Sequence, residues 1–429
     1  MADIVRRFGP AFREKNHGKL SRAHLRTLGA IERCRTAALG GHVYECADCK
    51  ARKIVYNSCR NRHCPKCQSL EKERWLEERC AELLPVPYFH VVFTLPEELN
   101  PLALSHPRLL YNLLFQCASE TLLEIAADPK HLGARIGVLA VLHTWGQKLT
   151  LHPHLHCIVP GGGLSIDGDW WVGSRPDFFL PVSVLKKLFR GKVLAAIKAA
   201  AKSGELPPSH LPAFGRLYRK SWVVYCKPPF GSPEQVLAYL ARYTYRVAIS
   251  NQRLVRLEGG EVTFTWKDYA RGQRLQEMTL SGEEFLRRFL LHVLPERFVR
   301  IRYYGLLANR HREQALALCR EALPGPPAPP KLTKSDWQSE AGNPWKARAT
   351  YEKYQFLYWK FDDGFWRGRR LHLQGYIAKS EGDFARAEQF FRELVDLYAD
   401  NSFEFDLVLA VLDQSLWRAR ARSSTLERS

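Results

Sequence analysis

The spacing of apolar positions changes several times along the chain, and each change marks an element. Phe89 to Leu95 is a β-branched and aromatic run and predicts a strand. Pro107 to Ala127 repeats its apolar residues at helical spacing. Ile136 to Trp145 and His154 to Val159 read as two apolar strands that end at Gly161-Gly162-Gly163, which predicts an antiparallel pair. A helix is expected over Val182 to Lys202, a strand over Trp222 to Cys226, and, past Pro228-Pro229, a helix from Pro233 to about Arg246. Arg253 to Leu257 and Glu261 to Trp266 flank Gly259-Gly260, a hairpin signal.

The punctuation between these elements predicts four segments. Residues 1–85 join a basic helical lead-in to a Cys/His cluster and a helical run from Glu71 to Leu84, closed by Pro85 and Pro87. Residues 86–322 carry the alternating strands and helices of an α+β domain with an antiparallel sheet. Residues 323–350 form a proline-rich linker, and 351–429 a helical tail, with a stripe from Phe384 to Tyr398. Gly382 to Glu388 looks like one helix of a tetratricopeptide-type repeat, but no second copy follows at a fixed period, so an isolated helical tail is expected.

At 429 residues the chain is long enough for two or three cores. Charge narrows its partners: 64 Lys and Arg against 44 Asp and Glu give +20, a surplus that attracts polyanions and points to nucleic acid. There is no run of eighteen apolar residues and no apolar signal core at the N-terminus, so no membrane partner and a cytoplasmic location are expected, at the nucleoid when DNA is bound.

Six of the eleven cysteines fall between Cys34 and Cys67, a density that suits metal rather than disulfides. Cys46 and Cys49, and Cys64 and Cys67, are two Cys-x2-Cys knuckles able to close a tetrahedron on Zn²⁺. Cys34, His42, Cys59 and His63 interleave with them and match a second ion, so one or two structural zincs are expected. Spacing leaves open which four share an ion. Arg60, Arg62 and Lys66 sit among the ligands and are expected to meet phosphates.

Candidate chemistry lies in the central region. His154-Leu155-His156 sits on a predicted strand, where residues two apart share a face and both imidazoles can reach one cation. The neighbouring strand and turn offer His143 or Gln147 as a third ligand, with Gln147 preferred. Such a site leaves positions open for a phosphate on Mg²⁺ or Mn²⁺. Tyr239 and Tyr243 are four residues apart on a predicted helix and face the same way, with Arg242 and Arg246 on an adjacent stripe for DNA phosphates.

Set side by side, these pieces resemble the two-tyrosine HUH transposases of rolling-circle elements, the insertion sequence 91 family with its common-region relatives. The matching stretches are Ser58 to Cys67, His143 to Gly163, Tyr239 to Asn251 and Phe285 to Asn309. The resemblance implies an HUH nuclease domain in which His154 and His156 are metal ligands and Tyr239 and Tyr243 attack DNA. It implies nicking and rejoining of single-stranded DNA at element ends through a 5′-phosphotyrosine, with no nucleotide cofactor. A rolling-circle replication initiator would use the same chemistry, and a catalytically decayed zinc DNA-binding protein would keep only the first module. The zinc cluster and the family-like stretches favour transposition.

Overall fold

The computed structural model describes residues 1–45, 50–67, 75–227 except 77, 81 and 176, 248–323 except 269, 270 and 273, and isolated positions between 371 and 393. The chain divides into two compact units, one of Met1–Gly40 with Tyr56–Pro330 and one of Gly41–Val55 with Lys331–Ser429. The helix expected over 233–246 and the linker after Leu323 lie outside the described residues, as do 71–74, 77 and 81 of the run expected from Glu71 to Leu84 and most of the tail.

The first unit opens with helices α1 (Ala2–Lys15) and α2 (Arg22–Arg33), the latter capped by Ser21, whose hydroxyl accepts the His24 N–H. In the second unit strands β1 (Gly41–Glu45) and β2 (Arg52–Tyr56) pair as an exposed ribbon. The first unit resumes with β3 (Tyr88–Thr94), α3 (Asn100–Ser105), α4 (Pro107–Ala127), β4 (Ala134–Arg135), β5 (Gly137–Trp145), β6 (Leu151–Pro160), β7 (Gly162–Ser165) and β8 (Trp171–Gly173). It continues through α5 (Val182–Lys202), α6 (Phe214–Arg219), β9 (Val223–Lys227), β10 (Leu254–Glu258), β11 (Glu261–Asp268) and β12 (Arg274–Ser281). It closes with α7 (Gly282–Leu290), β13 (Ile301–Gly305) and α8 (Arg312–Glu321).

Five strands form one sheet in the order β13-β5-β6-β3-β9, every neighbour antiparallel. Because side chains alternate between faces, each strand splits into two sets. Phe89, Val91 and Phe93 of β3, Val138, Ala140 and Leu142 of β5, and Leu155, Cys157 and Val159 of β6 turn to one face. There they pack with Leu114 and Phe115 of α4 and Phe189 and Val193 of α5 in a closed apolar core. Both long helices begin and end where their apolar spacing predicts. The opposite face holds the interleaved residues, among them His90, His143, His154, His156 and Tyr225.

A second core lies around the three-stranded sheet β10-β11-β12. Its tight turn uses Gly259 and Gly260, both at positive φ, as the hairpin signal requires. Val262 and Phe264 of β11 pack with Phe285 and Phe289 of α7, and the apolar stripes of α1 and α2 complete this core through Val5, Phe12, Leu28 and Ile31. Two short amphipathic helices cannot bury their stripes against each other alone, so packing runs on past the proline pair at 85 and 87.

Candidate functional site

The register of β5 on β6 sets His143 opposite His154 and Val141 opposite His156. His154 and His156 are two apart, so the three imidazoles share one face, and their ligand atoms lie within 4.8 Å of one another. A bulge between His143 and Trp145 twists the end of β5 and helps aim His143. The Nε2 atoms of His154 and His156 are 3.0 Å apart, while Nδ1–H of His154 donates to the His152 carbonyl at 2.7 Å. That bond fixes the His154 proton on Nδ1 and leaves the Nε2 lone pair for a cation. Burial holds the His154 imidazolium pKa down to about 3 and that of His156 well below its usual value, so both rings are neutral at physiological pH.

The third imidazole in the cluster is His143. Gln147 stands in the connection between β5 and β6, where its Oε1 accepts the Lys267 N–H at 3.3 Å and its carbonyl accepts from the Arg253 guanidinium. The side chain preferred from sequence is thus tied to β11. The same connection is anchored by Leu149, which is buried in the second core, by Arg288 donating to the Lys148 carbonyl at 3.1 Å, and by Lys148 lying 4.0 Å over the Trp266 ring.

Two further histidines bear on the cluster and were missed in the sequence. His90 of β3 is buried, and its Nε2 stands 2.7 Å from Nδ1 of His156. His292, just past α7, is buried against the connection end of the hairpin: its Nε2–H donates to the Leu149 carbonyl at 3.1 Å, and its Nδ1 lies 3.3 Å from the Thr144 hydroxyl. The sequence offers only a weak signal for His90: a lone imidazole in an apolar strand is costly without a partner, but nothing local says which partner it meets.

The zinc candidates sort differently from their spacing. Cys34, the C-cap of α2, joins Cys59, Cys64 and Cys67, all four sulfurs lying within 4.8 Å of one another. Cys34 and Cys67 are 3.4 Å apart, Cys59 and Cys67 3.6 Å, and Cys34 and Cys64 3.7 Å. Zinc–sulfur bonds of about 2.3 Å set tetrahedrally place sulfurs about 3.8 Å apart, so the four thiolates fit one Zn²⁺. His63 is not among them: its Nε2 accepts the Leu294 N–H at 3.3 Å. His42 is exposed on β1 in the second unit, and Cys46 and Cys49 lie outside the described residues.

Of the cations near the cluster, Arg60 and Lys66 are exposed, whereas Arg62 is half-buried and donates to the Phe298 carbonyl at 2.7 Å. Tyr239, Arg242, Tyr243 and Arg246 lie outside the described residues. Among the described residues no helix is long and apolar enough to cross a membrane.

Comparison with known proteins gives matches in two regions of the chain. Residues 4–95 match the family described as "Transposase zinc-binding domain", and residues 137–315 the family described as "Putative transposase". No solved structure matches the chain. The chain is 32% identical over 335 residues to the "Transposase for insertion sequence element IS801" of Pseudomonas savastanoi pv. phaseolicola, which covers 73% of this chain and 78% of that relative. It is 57% identical over 334 residues, 75% of this chain and 84% of the relative, to the "Putative transposase y4qJ" of Sinorhizobium fredii (strain NBRC 101917 / NGR234). Similarity of that depth and length, with a zinc-binding region matching at the N-terminus, makes this chain a member of the insertion sequence 91 family of transposases.

Proposed function

We propose that the chain nicks and rejoins single-stranded DNA at element ends through a 5′-phosphotyrosine, as in rolling-circle transposition. The observation that carries this reading is the convergence of His143, His154 and His156 on the sheet face opposite the core. Three neutral imidazoles suit Mn²⁺ better than Mg²⁺, which prefers oxygen ligands. A divalent ion held there would polarise the scissile phosphate and offset the charge that develops on it.

The residues of the chain supply the rest. His90 and the His152 carbonyl orient the two strand imidazoles from behind. Tyr239 and Tyr243, four apart in a stretch where the sequence predicts a helix, would present both phenols to one place. In the nicking step a tyrosine Oη gives up its proton and bonds to phosphorus, the bond from phosphorus to the 3′ oxygen breaks, and that oxygen takes up a proton and leaves as a 3′-hydroxyl. The phosphodiester energy stays in the phosphotyrosine, so rejoining needs no nucleotide cofactor. Arg60 and Lys66 beside the zinc cluster, with Arg242 and Arg246, would hold the strand by its phosphates. On this reading residues 1–85 bind DNA, 86–322 carry the chemistry, 323–350 link, and 351–429 form an appended helical unit.

The test is incubation of the full chain with a labelled single-stranded oligonucleotide bearing an element end, with Mn²⁺ and without. A metal-dependent covalent protein–DNA adduct is expected on single-stranded and not on fully paired DNA. Tight binding with no cleavage under any divalent ion would leave a DNA-binding protein only.

A further inference from the structure

Two buried histidines, His63 and His292, have no place in the chemistry above, and both are spent on backbone. Between Cys59 and Cys64 the chain makes a tight turn in which Asn61 Oδ1 accepts the His63 N–H at 2.8 Å and the Asn61 carbonyl accepts the Cys64 N–H at 2.9 Å. This turn sends Arg62 and His63 to the segment 292–298. Arg62 donates to the Phe298 carbonyl at 2.7 Å, and His63 Nε2 accepts from Leu294 N–H at 3.3 Å. Between those two grips, Glu296 pairs with Arg26 of α2 at 2.6 Å, and its carbonyl accepts from Arg108 of α4 at 2.6 Å.

His292 begins that segment and reaches the hairpin at Thr144 of β5 and at Leu149 of the connection. Trp145 stands between it and the cluster: its ring meets His292 edge-on at 6.1 Å and stacks on His143 at 4.7 Å. Leu149 is fully buried at a φ of 59°, a left-handed conformation that a leucine keeps only where its surroundings over-determine it. A buried imidazole costs more than an apolar side chain unless its nitrogens are used, and these two are used to fix backbone.

We propose that the zinc cluster braces the metal-binding hairpin: Arg62 and His63 grip the 292–298 segment, and His292 hands that grip to Thr144, Leu149 and, through Trp145, to His143. His63 and His292 are positioning residues, and the zinc cluster serves the geometry of the three-histidine site as well as DNA. The inference rests on the reading of His143, His154 and His156 as ligands of a divalent ion, and its test separates the two.

The full chain is titrated with Mn²⁺, the free ion read by paramagnetic resonance, with zinc content and melting temperature measured on each variant. His63→Leu and Thr144→Val are each expected to keep their zinc and to weaken Mn²⁺ binding by about tenfold, the lower end of what outer-shell partners cost. His63→Gln, whose amide oxygen can accept from Leu294, is expected to recover most of the affinity. Thr144→Val keeps the side-chain shape, so it carries the test if His63→Leu fails to fold. A lowered melting temperature with unchanged Mn²⁺ affinity in these variants means a structural role only and overturns the brace. Mn²⁺ binding that survives His154→Ala overturns the metal reading itself, and the brace with it.

Discussion

Nε2 of His90 on β3 stands 2.7 Å from Nδ1 of His156 on β6, a diagonal contact between neighbouring strands on one sheet face. For His156 to offer Nε2 to a cation, its proton must sit on Nδ1 and be donated to His90. Neutral His90 accepts it, and burial keeps that ring neutral by lowering its pKa to about 4. On the proposed reading His90 would set the tautomer and the ring plane of a metal ligand. His90→Ala is expected to weaken Mn²⁺ binding by about 10- to 100-fold. His90→Gln, able to accept through its amide oxygen, should lose less. Single-stranded DNA binding should be unaltered in both, and equal Mn²⁺ affinity in all three proteins would remove His90 from the site.

His63 and His292 also predict how stability depends on pH. Burial lowers their folded-state pKa values to about 3 and about 4, against the ordinary 6.5 in the unfolded chain. Below pH 6.5 the unfolded chain therefore takes up protons that the folded chain refuses. The stability these rings confer is complete above 6.5 and drains away as pH falls toward 4, by about 1.4 kcal/mol per pH unit for each ring at most. The urea midpoint should drop steadily between pH 7 and pH 5, and His292→Phe should flatten that slope. An unchanged midpoint over this range would mean the rings are not buried neutral.

How far the site was legible in the sequence differs residue by residue. The helices over 107–127 and 182–202 were readable end to end, because twenty-one residues hold several turns of one apolar period. His154 and His156 stood out as polar positions two apart in an apolar strand. His90 did not, because a single histidine has no period; only the register that places Val92 opposite His156 makes it a neighbour. His143 joins the cluster while Gln147, preferred from sequence, accepts the Lys267 N–H of β11, and strand partners so distant in sequence leave no local pattern. The cysteines show the same limit: adjacent knuckles suggested pairs, but Cys34 reaches the Cys59, Cys64 and Cys67 loop from the end of α2. The start of α7 was readable and overlooked. Ser281 accepts the Glu284 N–H and has an acidic residue three positions on, the first half of a capping box.

Arg60, Lys66 and Arg62 looked alike in sequence and should separate in solution. Arg60 and Lys66 are exposed, so each phosphate contact they make releases counterions. The double change Arg60→Ala with Lys66→Ala should reduce the slope of log affinity against log salt by about 1.4, at roughly 0.7 per single-strand contact. Arg62 is already bonded to the Phe298 carbonyl. Arg62→Ala should therefore lower the melting temperature and leave the salt slope unchanged. The reverse result would place Arg62 on DNA.

The tyrosines carry the most specific expectation. Tyr239 and Tyr243 lie on a stretch outside the described residues, so their assignment rests on helical spacing and on the family resemblance. If they perform two successive transfers, each must reach the same phosphate, and either could form the first covalent bond when the other is missing. Single changes Tyr239→Phe and Tyr243→Phe should then each leave a covalent adduct on a single-stranded element end, while completed rejoining falls in both. The double change should abolish the adduct with DNA binding and Mn²⁺ affinity intact, since phenylalanine keeps the ring and removes only the attacking oxygen. Peptide mapping of the adduct identifies the residue directly. An adduct that persists in the double variant moves the nucleophile elsewhere, and Tyr245, two residues past Tyr243, is the first position to examine.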